Sequence, residues 1–332
     1  MTMRRGDNIR EHCLACTGGL DSATVGGAEP RKTAIAGILN INKPSGITSH
    51  DVVDKVRRAS GIGRVGHTGT LDPAASGVLL VCIGQATRVS EYLMEGRKKY
   101  EAQIRLGIST DTGDSEGKVT HEAPEVNTTR EQIDQALNHF RGPIQQLPPM
   151  HSALKYKGTP LYKLARRGIE VERSPRPVEV HDLQLIDWSP PSVRLVVECS
   201  KGTYIRALAR DLGEMLGTGA HLQTLVRVAS GCFNLDSAMS LGTVEDSFAN
   251  GLWSYILHPL DEALLHFQAV VVDQETETRI RQGQQVKGLE PLDGPFCRVY
   301  SSSGRFIALL RYEEERKVWQ PRKVFNLHEG ST

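Results

Sequence analysis

The chain lacks any apolar run near the roughly 20 residues needed to cross a bilayer. Its most apolar stretch, "GVLLVCIG" at residues 77–84, is too short for that and reads as a buried strand. It also lacks an excess of either charge: 40 Lys+Arg stand against 39 Asp+Glu, a formal net charge of +1. A nucleic-acid partner is still open, but any basic surface has to be local. Paired metal ligands are missing too. Six cysteines are scattered at Cys13, Cys16, Cys82, Cys199, Cys232 and Cys297. Cys13 and Cys16 form one CxxC beside His12, but no second ligand pair lies at zinc spacing, so no metal is expected. No signal peptide precedes the cysteines, so reduced thiols in a cytoplasm are the expectation. No internal repeat is visible.

What is present fits two domains, or one domain with an appendage: 332 residues with a hydrophobic fraction of 39%. Residues 1–36 are rich in Gly, Ala, Thr and Ser, show no apolar period and read as a disordered extension. Asp7, Glu11, Asp21 and Glu29 argue against an acid-poor transit peptide. Order is expected from "GILNINKPSGITSHDVV": a strand, a Pro44–Gly46 turn, then a helix capped by Ser49 with Val52, Val53 and Val56 on one face. "KKYEAQIRLGI" alternates Tyr100, Ala102, Ile104 and Leu106 as a half-buried strand does. "TTREQIDQALNHF" predicts a helix with Ile133, Leu137 and Phe140 inward. "VEVHDLQLIDW" and "SVRLVVECS" predict strands. "GTYIRALARDLGEML" predicts a helix buried through Ile205, Leu208, Leu212 and Met215. Strands without helical crossovers indicate an α+β fold with a mainly antiparallel mixed sheet. From about Gln268 the texture changes to a small β-rich unit, with "RVYSSSGRFIALLRY" as a hairpin. The expected organisation is an extension at 1–36, a main domain at 37–265 and a β-rich domain at 266–328.

The stretch "GIGRVGHTGTLDPAASGVLLV" at residues 61–81 holds one carboxylate, Asp72. Its GxxxxG is followed by His67 where a phosphate-binding loop needs lysine, which disfavours a nucleotide cradle. Pro73 pushes Asp72 towards extended geometry, so the acid sits in a loop feeding the next strand. On the motif alone a turn-forming aspartate is the simpler reading. A catalytic role requires a cation to hold the acid ionised and a shaped pocket beside it.

"GHTGTLDPAASGVL", "NKPSGITS", "KKYEAQIRLG" and "SKGTYIRALARDLG" all occur within residues 37–260. Together they resemble the TruB family of tRNA pseudouridine synthases. The last segment resembles that family's PUA-type RNA-binding appendage more weakly. The resemblance implies the pseudouridine synthase fold and conversion of uridine to pseudouridine in tRNA, at position 55 of the T loop. The N1–C1′ bond breaks, the base turns, and C5 joins C1′ without any cofactor. It makes Asp72 the catalytic residue, Arg206 the arginine paired with it and Tyr100 the ring stacked on the target base. Tyr204 is a further pocket wall. Lys43 and Pro44 support the catalytic loop, and His67 packs within the RNA loop that has lost its base. Leu225 lies where the family reads Leu-Arg-Arg or similar, but here Val226 replaces one arginine. Without the resemblance, Tyr100 suits a strand core, His67 a structural hydrogen bond and Arg206 a helix surface.

A stacked uridine must be extruded before its C1′ can meet an acid, so a phosphate-binding surface is required. Residues 155–176 carry seven basic residues against two acids, 7 − 2 = +5, interleaved with Tyr156 and Tyr162. This segment, within an insertion at about 150–178, resembles the family's T-arm clamp. Lys155, Lys157, Lys163, Arg166 and Arg167 are the candidate RNA contacts, although the charge alone also suits a solvated loop. The expected partner is the T arm of tRNA, bound by a monomer with no membrane. An RNA N-glycosidase and a non-catalytic RNA-binding or tRNA-folding protein are the competing readings. The first is disfavoured because the sequence offers no second carboxylate near Asp72 to activate water.

Overall fold

The computed structural model describes residues 35–289 and 291–326. Most of the N-terminal extension, with His12, Cys13 and Cys16, lies outside the described residues. Ile35 and Ala36 are already buried, so order begins before Gly37.

The main sheet is built from β1 (Gly37–Lys43), β2 (Val65–Thr68), β3 (Ser76–Ile83), β4 (Lys98–Leu106), β5 (Gly142–Gln146), β6 (Arg176–Ser189), β7 (Ser192–Cys199) and β8 (Ala220–Ser230). Short strands at Phe233–Asn234 and Met239–Ser240 complete it. From the Met239–Ser240 edge the order is β1, β3, β8, β4, β7, β6, β5, with β2 and Phe233–Asn234 off this path. Pairing is antiparallel except where β8 meets β3 and where β1 meets Met239–Ser240. The fold is thus α+β with a mainly antiparallel mixed sheet. Helices α1 (Ser49–Ser60), α2 (Arg130–Leu137), α3 (Leu161–Ala165), α4 (Ile205–Met215) and α5 (Leu241–Ala249) accompany it. None of the described helices is long and apolar enough to cross a membrane.

Strand β3 is apolar throughout because both of its faces are covered. Leu79, Val81 and Ile83 join a core containing Val52, Val56, Tyr100 and Leu208, while Val78, Leu80 and Cys82 face a second core. A strand buried on both faces reads as a continuous run rather than an alternation. Strand β4 is covered on one face only: Tyr100, Ala102, Ile104 and Leu106 are buried, and Lys99 and Glu101 are exposed. Its pattern therefore alternates.

Two sequence expectations need correction. The N-cap of α1 is Thr48, not Ser49. Thr48 Oγ1 accepts from Asp51 N–H at 3.0 Å, and the Asp51 carboxylate accepts from Thr48 N–H at 2.8 Å, closing a capping box. Met215 is exposed, because α4 ends there and the buried stripe stops at Leu212 and Gly213.

The C-terminal sheet runs β9 (Gln268–Val272), β10 (Phe296–Ser301), β11 (Phe306–Glu313) and β12 (Val318–Val324) in that order, with α6 (Gln274–Arg281) after β9. The expected hairpin is β10–β11. Strand β11 is buried on both faces. Ile307, Ala308 and Leu310 pack with Trp319 within this unit, and Phe306 and Leu309 join Ile38, Val78 and Leu80 of the main sheet.

Candidate active site around Asp72

Asp72 lies in the loop between β2 and β3, and three anchors fix that loop. Ser49 Oγ donates to Leu71 O at 3.0 Å and accepts from Leu71 N–H at 2.9 Å. The fully buried Lys43 donates from Nζ to the carbonyls of Pro44, Ile47 and Pro73 at 2.9, 2.8 and 3.2 Å. Gly46 N–H donates to Pro73 O at 2.8 Å. The "NKPSG" turn and the Asp72 loop are therefore one hydrogen-bonded unit. Burial pulls the Lys43 ammonium down to about 8, against the attraction of Asp72.

Arg206 opens α4 and is only 5% exposed. Its Nε donates to Asp72 Oδ2 at 2.9 Å, Nη1 to Thr112 O at 3.1 Å and Nη2 to His151 O at 2.7 Å. A guanidinium held at three points cannot swing away from its carboxylate, which keeps Asp72 aimed. Burial raises the Asp72 carboxyl above the usual aspartate range. The Arg206 guanidinium pulls it back down, and Asp114 pushes it up. The carboxylate still opens outward, with 41% of its side chain accessible.

Asp114 is a residue the sequence reading missed. It lies 3.5 Å from Arg206 Nη1 and accepts from Thr112 Oγ1 and Glu116 N–H. The expectation of no second carboxylate near Asp72 is therefore corrected. The contact is tertiary, across 42 residues of sequence, and nothing local in "STDTGDSEGK" marks it.

Tyr100 faces Arg227 across the β4–β8 register. Burial raises the Tyr100 hydroxyl, and the positive charge of Arg227 partly offsets this. Arg227, 1% exposed, donates from Nε to Val78 O at 2.6 Å and from Nη2 to Gly69 O at 2.9 Å. It ties β8 to β3 and to the loop that leads to Asp72. Its main chain meets β3 at Gly77, whose φ is +101° and where a Cβ would stand 2.3 Å from Arg227 O. Only glycine fits there. The sequence reading noted Val226 where an arginine is usual and passed over Arg227, whose signal was a lone cation between valines in a strand.

Leu225 lines the Asp72 cavity with Ala75, Leu222 and Arg206. The cavity measures about 20 Å³, enough for one water by the ~10–15 Å³ criterion and too small for a base. A larger cleft of about 520 Å³ lies between α2 and the end of α4 and contains none of the candidate site residues. His67 sits in β2. Burial and Arg227 lower its imidazole, which keeps it neutral, and Nδ1 is buried without a hydrogen-bond partner. Tyr204 is half-buried, and α4 starts from it.

The insertion forms a two-rung hairpin, Lys155–Tyr156 with Thr159–Pro160, followed by α3. All five of its candidate cations, Lys155, Lys157, Lys163, Arg166 and Arg167, are exposed. The Lys157 ammonium sits 5.4 Å from the Tyr156 ring centre, and the Arg166 guanidinium 5.5 Å from that of Tyr162. Among the described residues, no cluster of three or more His, Cys, Asp or Glu could hold a metal ion.

Residues 57–205 match the TruB family pseudouridylate synthase N-terminal domain. Residues 206–265 match the tRNA pseudouridylate synthase B C-terminal domain, and residues 269–311 match the pseudouridine synthase II TruB C-terminal domain. The chain is similar to a protein of Dehalococcoides mccartyi named tRNA pseudouridine synthase B. The two are 47% identical over 290 residues, covering 87% of this chain and 96% of that protein. A protein of the same name from Pseudomonas paraeruginosa is 42% identical over 296 residues, covering 88% and 97%. Among solved structures, the chain resembles one in a Cbf5-Nop10-Gar1 complex, with a TM-score of 0.68, 25% identity and coverage of 89% and 86%. It also resembles one in the archaeal box H/ACA sRNP Nop10-Cbf5 complex, with a TM-score of 0.66, 23% identity and coverage of 92% and 91%. By sequence over most of its length, and by its large mixed sheet with a separate C-terminal sheet, the chain belongs to the TruB family of pseudouridylate synthases.

Proposed function

We propose that this chain isomerises uridine to pseudouridine in the T loop of tRNA, at position 55, with Asp72 as the catalytic residue. The observation that carries this reading is the Arg206–Asp72 ion pair at 2.9 Å, at the mouth of a cavity lined by Leu225. As the N1–C1′ bond breaks, the sugar carbon becomes electron-poor. A fixed carboxylate there can add to C1′, stabilise its charge or take a sugar proton. Tyr100, Tyr204 and Leu225 form the walls that hold the base while it turns, with Lys43 and Arg227 fixing the surrounding loop and strands. No cofactor is required, because the base is both leaving group and nucleophile.

The extruded uridine cannot enter the cavity at its present size, so binding has to open the site. His67 faces the RNA loop. The surface cations Lys155, Lys157, Lys163, Arg166 and Arg167 grip the T-arm phosphates, with Tyr156 and Tyr162 between them. Residues 37–265 act as the catalytic domain, and residues 266–328 as a PUA-like RNA-binding domain. The enzyme works as a monomer in the cytoplasm.

Asp114 does not make the site a hydrolase. Its oxygens are engaged by the Thr112 hydroxyl, the Glu116 N–H and Arg206, whereas an inverting glycosidase leaves its second carboxylate free to activate water. Incubating the protein with unmodified tRNA and mapping pseudouridine by chemical adduct sequencing tests the proposal. Pseudouridine at position 55 with the base retained is expected. Release of free uracil would replace this reading with hydrolysis.

A further inference from the structure

Strand β5 runs into the basic insertion, and its last side chain, Gln146, is 2% exposed. The Gln146 amide meets the main chain of Tyr204 twice. Nε2 donates to Tyr204 O at 3.0 Å, and Oε1 accepts from Tyr204 N–H at 2.8 Å. A primary amide carries a donor and an acceptor on one rigid plane, so a two-point contact fixes both the position and the tilt of the residue it grips. Tyr204 is where the chain turns into α4, and no side chain of its own caps that helix. Arg206 follows two residues later. The segment after Gln146 continues along the same helix: Leu147 O accepts from Arg210 Nη2 at 3.2 Å, and His151 O accepts from Arg206 Nη2 at 2.7 Å.

We infer that Gln146 is a positioning residue: its amide fixes the Tyr204–Arg206 turn, holds Arg206 on Asp72 and makes the root of the basic insertion part of the active-site wall. This rests on the reading that Asp72 and Arg206 carry the reaction. The segment Gln146–His151 then has two roles. It leads into the surface cations that grip RNA, and it supplies a main-chain acceptor to the arginine that aims the acid. Removing the Gln146 amide leaves both Tyr204 main-chain groups without that partner and frees the start of α4 to shift. A small shift weakens the Arg206–Asp72 contact, which depends on distance and angle.

The test uses the full chain with Gln146→Leu, which removes the amide at similar volume, and Gln146→Asn, which keeps an amide one methylene too short to span both contacts. Asn is the variant expected to fold if Leu does not. Thermal melting establishes folding, equilibrium binding gives the tRNA Kd, and single-turnover rates at saturating enzyme are measured across pH. Each folded variant is expected to slow at least ten-fold while Kd stays within three-fold. The acid limb of the rate profile is expected to move to higher pH. The groups facing Asp72 explain that direction: Arg206 and Lys43 favour its anion, Asp114 opposes it, and the Tyr100 and Tyr204 hydroxyls stay neutral. Loosening Arg206 lets the acid protonate at higher pH. A folded variant at the parent rate would overturn the inference, and so would a slower one with an unmoved acid limb, because a merely structural glutamine would leave that limb in place. Failure of the underlying reading shows separately, as a parent protein that forms no pseudouridine.

Discussion

Ser49 and Leu71 exchange two hydrogen bonds: the serine hydroxyl donates to Leu71 O at 3.0 Å and accepts from Leu71 N–H at 2.9 Å. Both residues are buried, so the first residue of α1 locks the one immediately before Asp72. Ser49→Ala removes both bonds and leaves a buried N–H and C=O unpaired, at a cost of about 1–3 kcal/mol. Urea unfolding should show that destabilisation, with single-turnover rates several-fold lower. A stable variant of parental rate would mean that the Lys43 contacts suffice to hold the loop.

Asp72→Asn should abolish turnover and leave tRNA affinity within a few-fold, because phosphate contacts supply most of the binding. Filter binding and single-turnover assays separate the two. Full activity in Asp72→Asn, with deamidation excluded by mass spectrometry, would remove Asp72 from the chemistry.

On the proposed mechanism the reaction needs the Asp72 anion, so activity should be present above its pKa and lost as pH falls through it. Burial and Asp114 hold that pKa above the ordinary aspartate value, and Arg206 opposes them. Arg206→Gln removes the opposing cation, so its acid limb should lie at higher pH than the parent's, with a lower plateau as well. Single-turnover rates measured from acid to neutral pH give both values. A limb at unchanged pH would show that Asp72 is not the titrating group.

Neutralising Lys157, Lys163, Arg166 and Arg167 together to glutamine should weaken tRNA binding and flatten its salt dependence. Removing one phosphate-binding cation lowers the magnitude of the log–log slope by about 0.7–0.9. The rate at saturating enzyme should change much less, since none of the four is paired with Asp72. Binding titrations at several salt concentrations decide the matter, and an unaltered slope would return these cations to plain solvated surface.

The strands were legible wherever one face or both faces are covered. The alternation of β4 and the unbroken run of β3 each report their own burial. Thr48 rather than Ser49 caps α1 because Asp51 stands three residues after Thr48, a reciprocal signal more specific than a lone serine. The Arg206–Asp72 pair was expected from the family resemblance alone; no local pattern records it, since it depends on the placement of α4. Asp114, Gln146 and Arg227 act through main-chain carbonyls, peptide groups or a shared guanidinium distant in sequence. Local pattern does not record such partners.

Phe306 and Leu309 of β11, with Phe325, close the face of the main sheet formed by Ile38, Val78 and Leu80. A chain cut near residue 266 would therefore leave a bare hydrophobic wall behind the very strand that follows Asp72. The two sheets are joined like two boards sharing a glued face, and neither works as a detachable tool. Calorimetry of the whole protein should show them melting in a single transition, and the C-terminal sheet should be as intolerant of transplantation between relatives as any core.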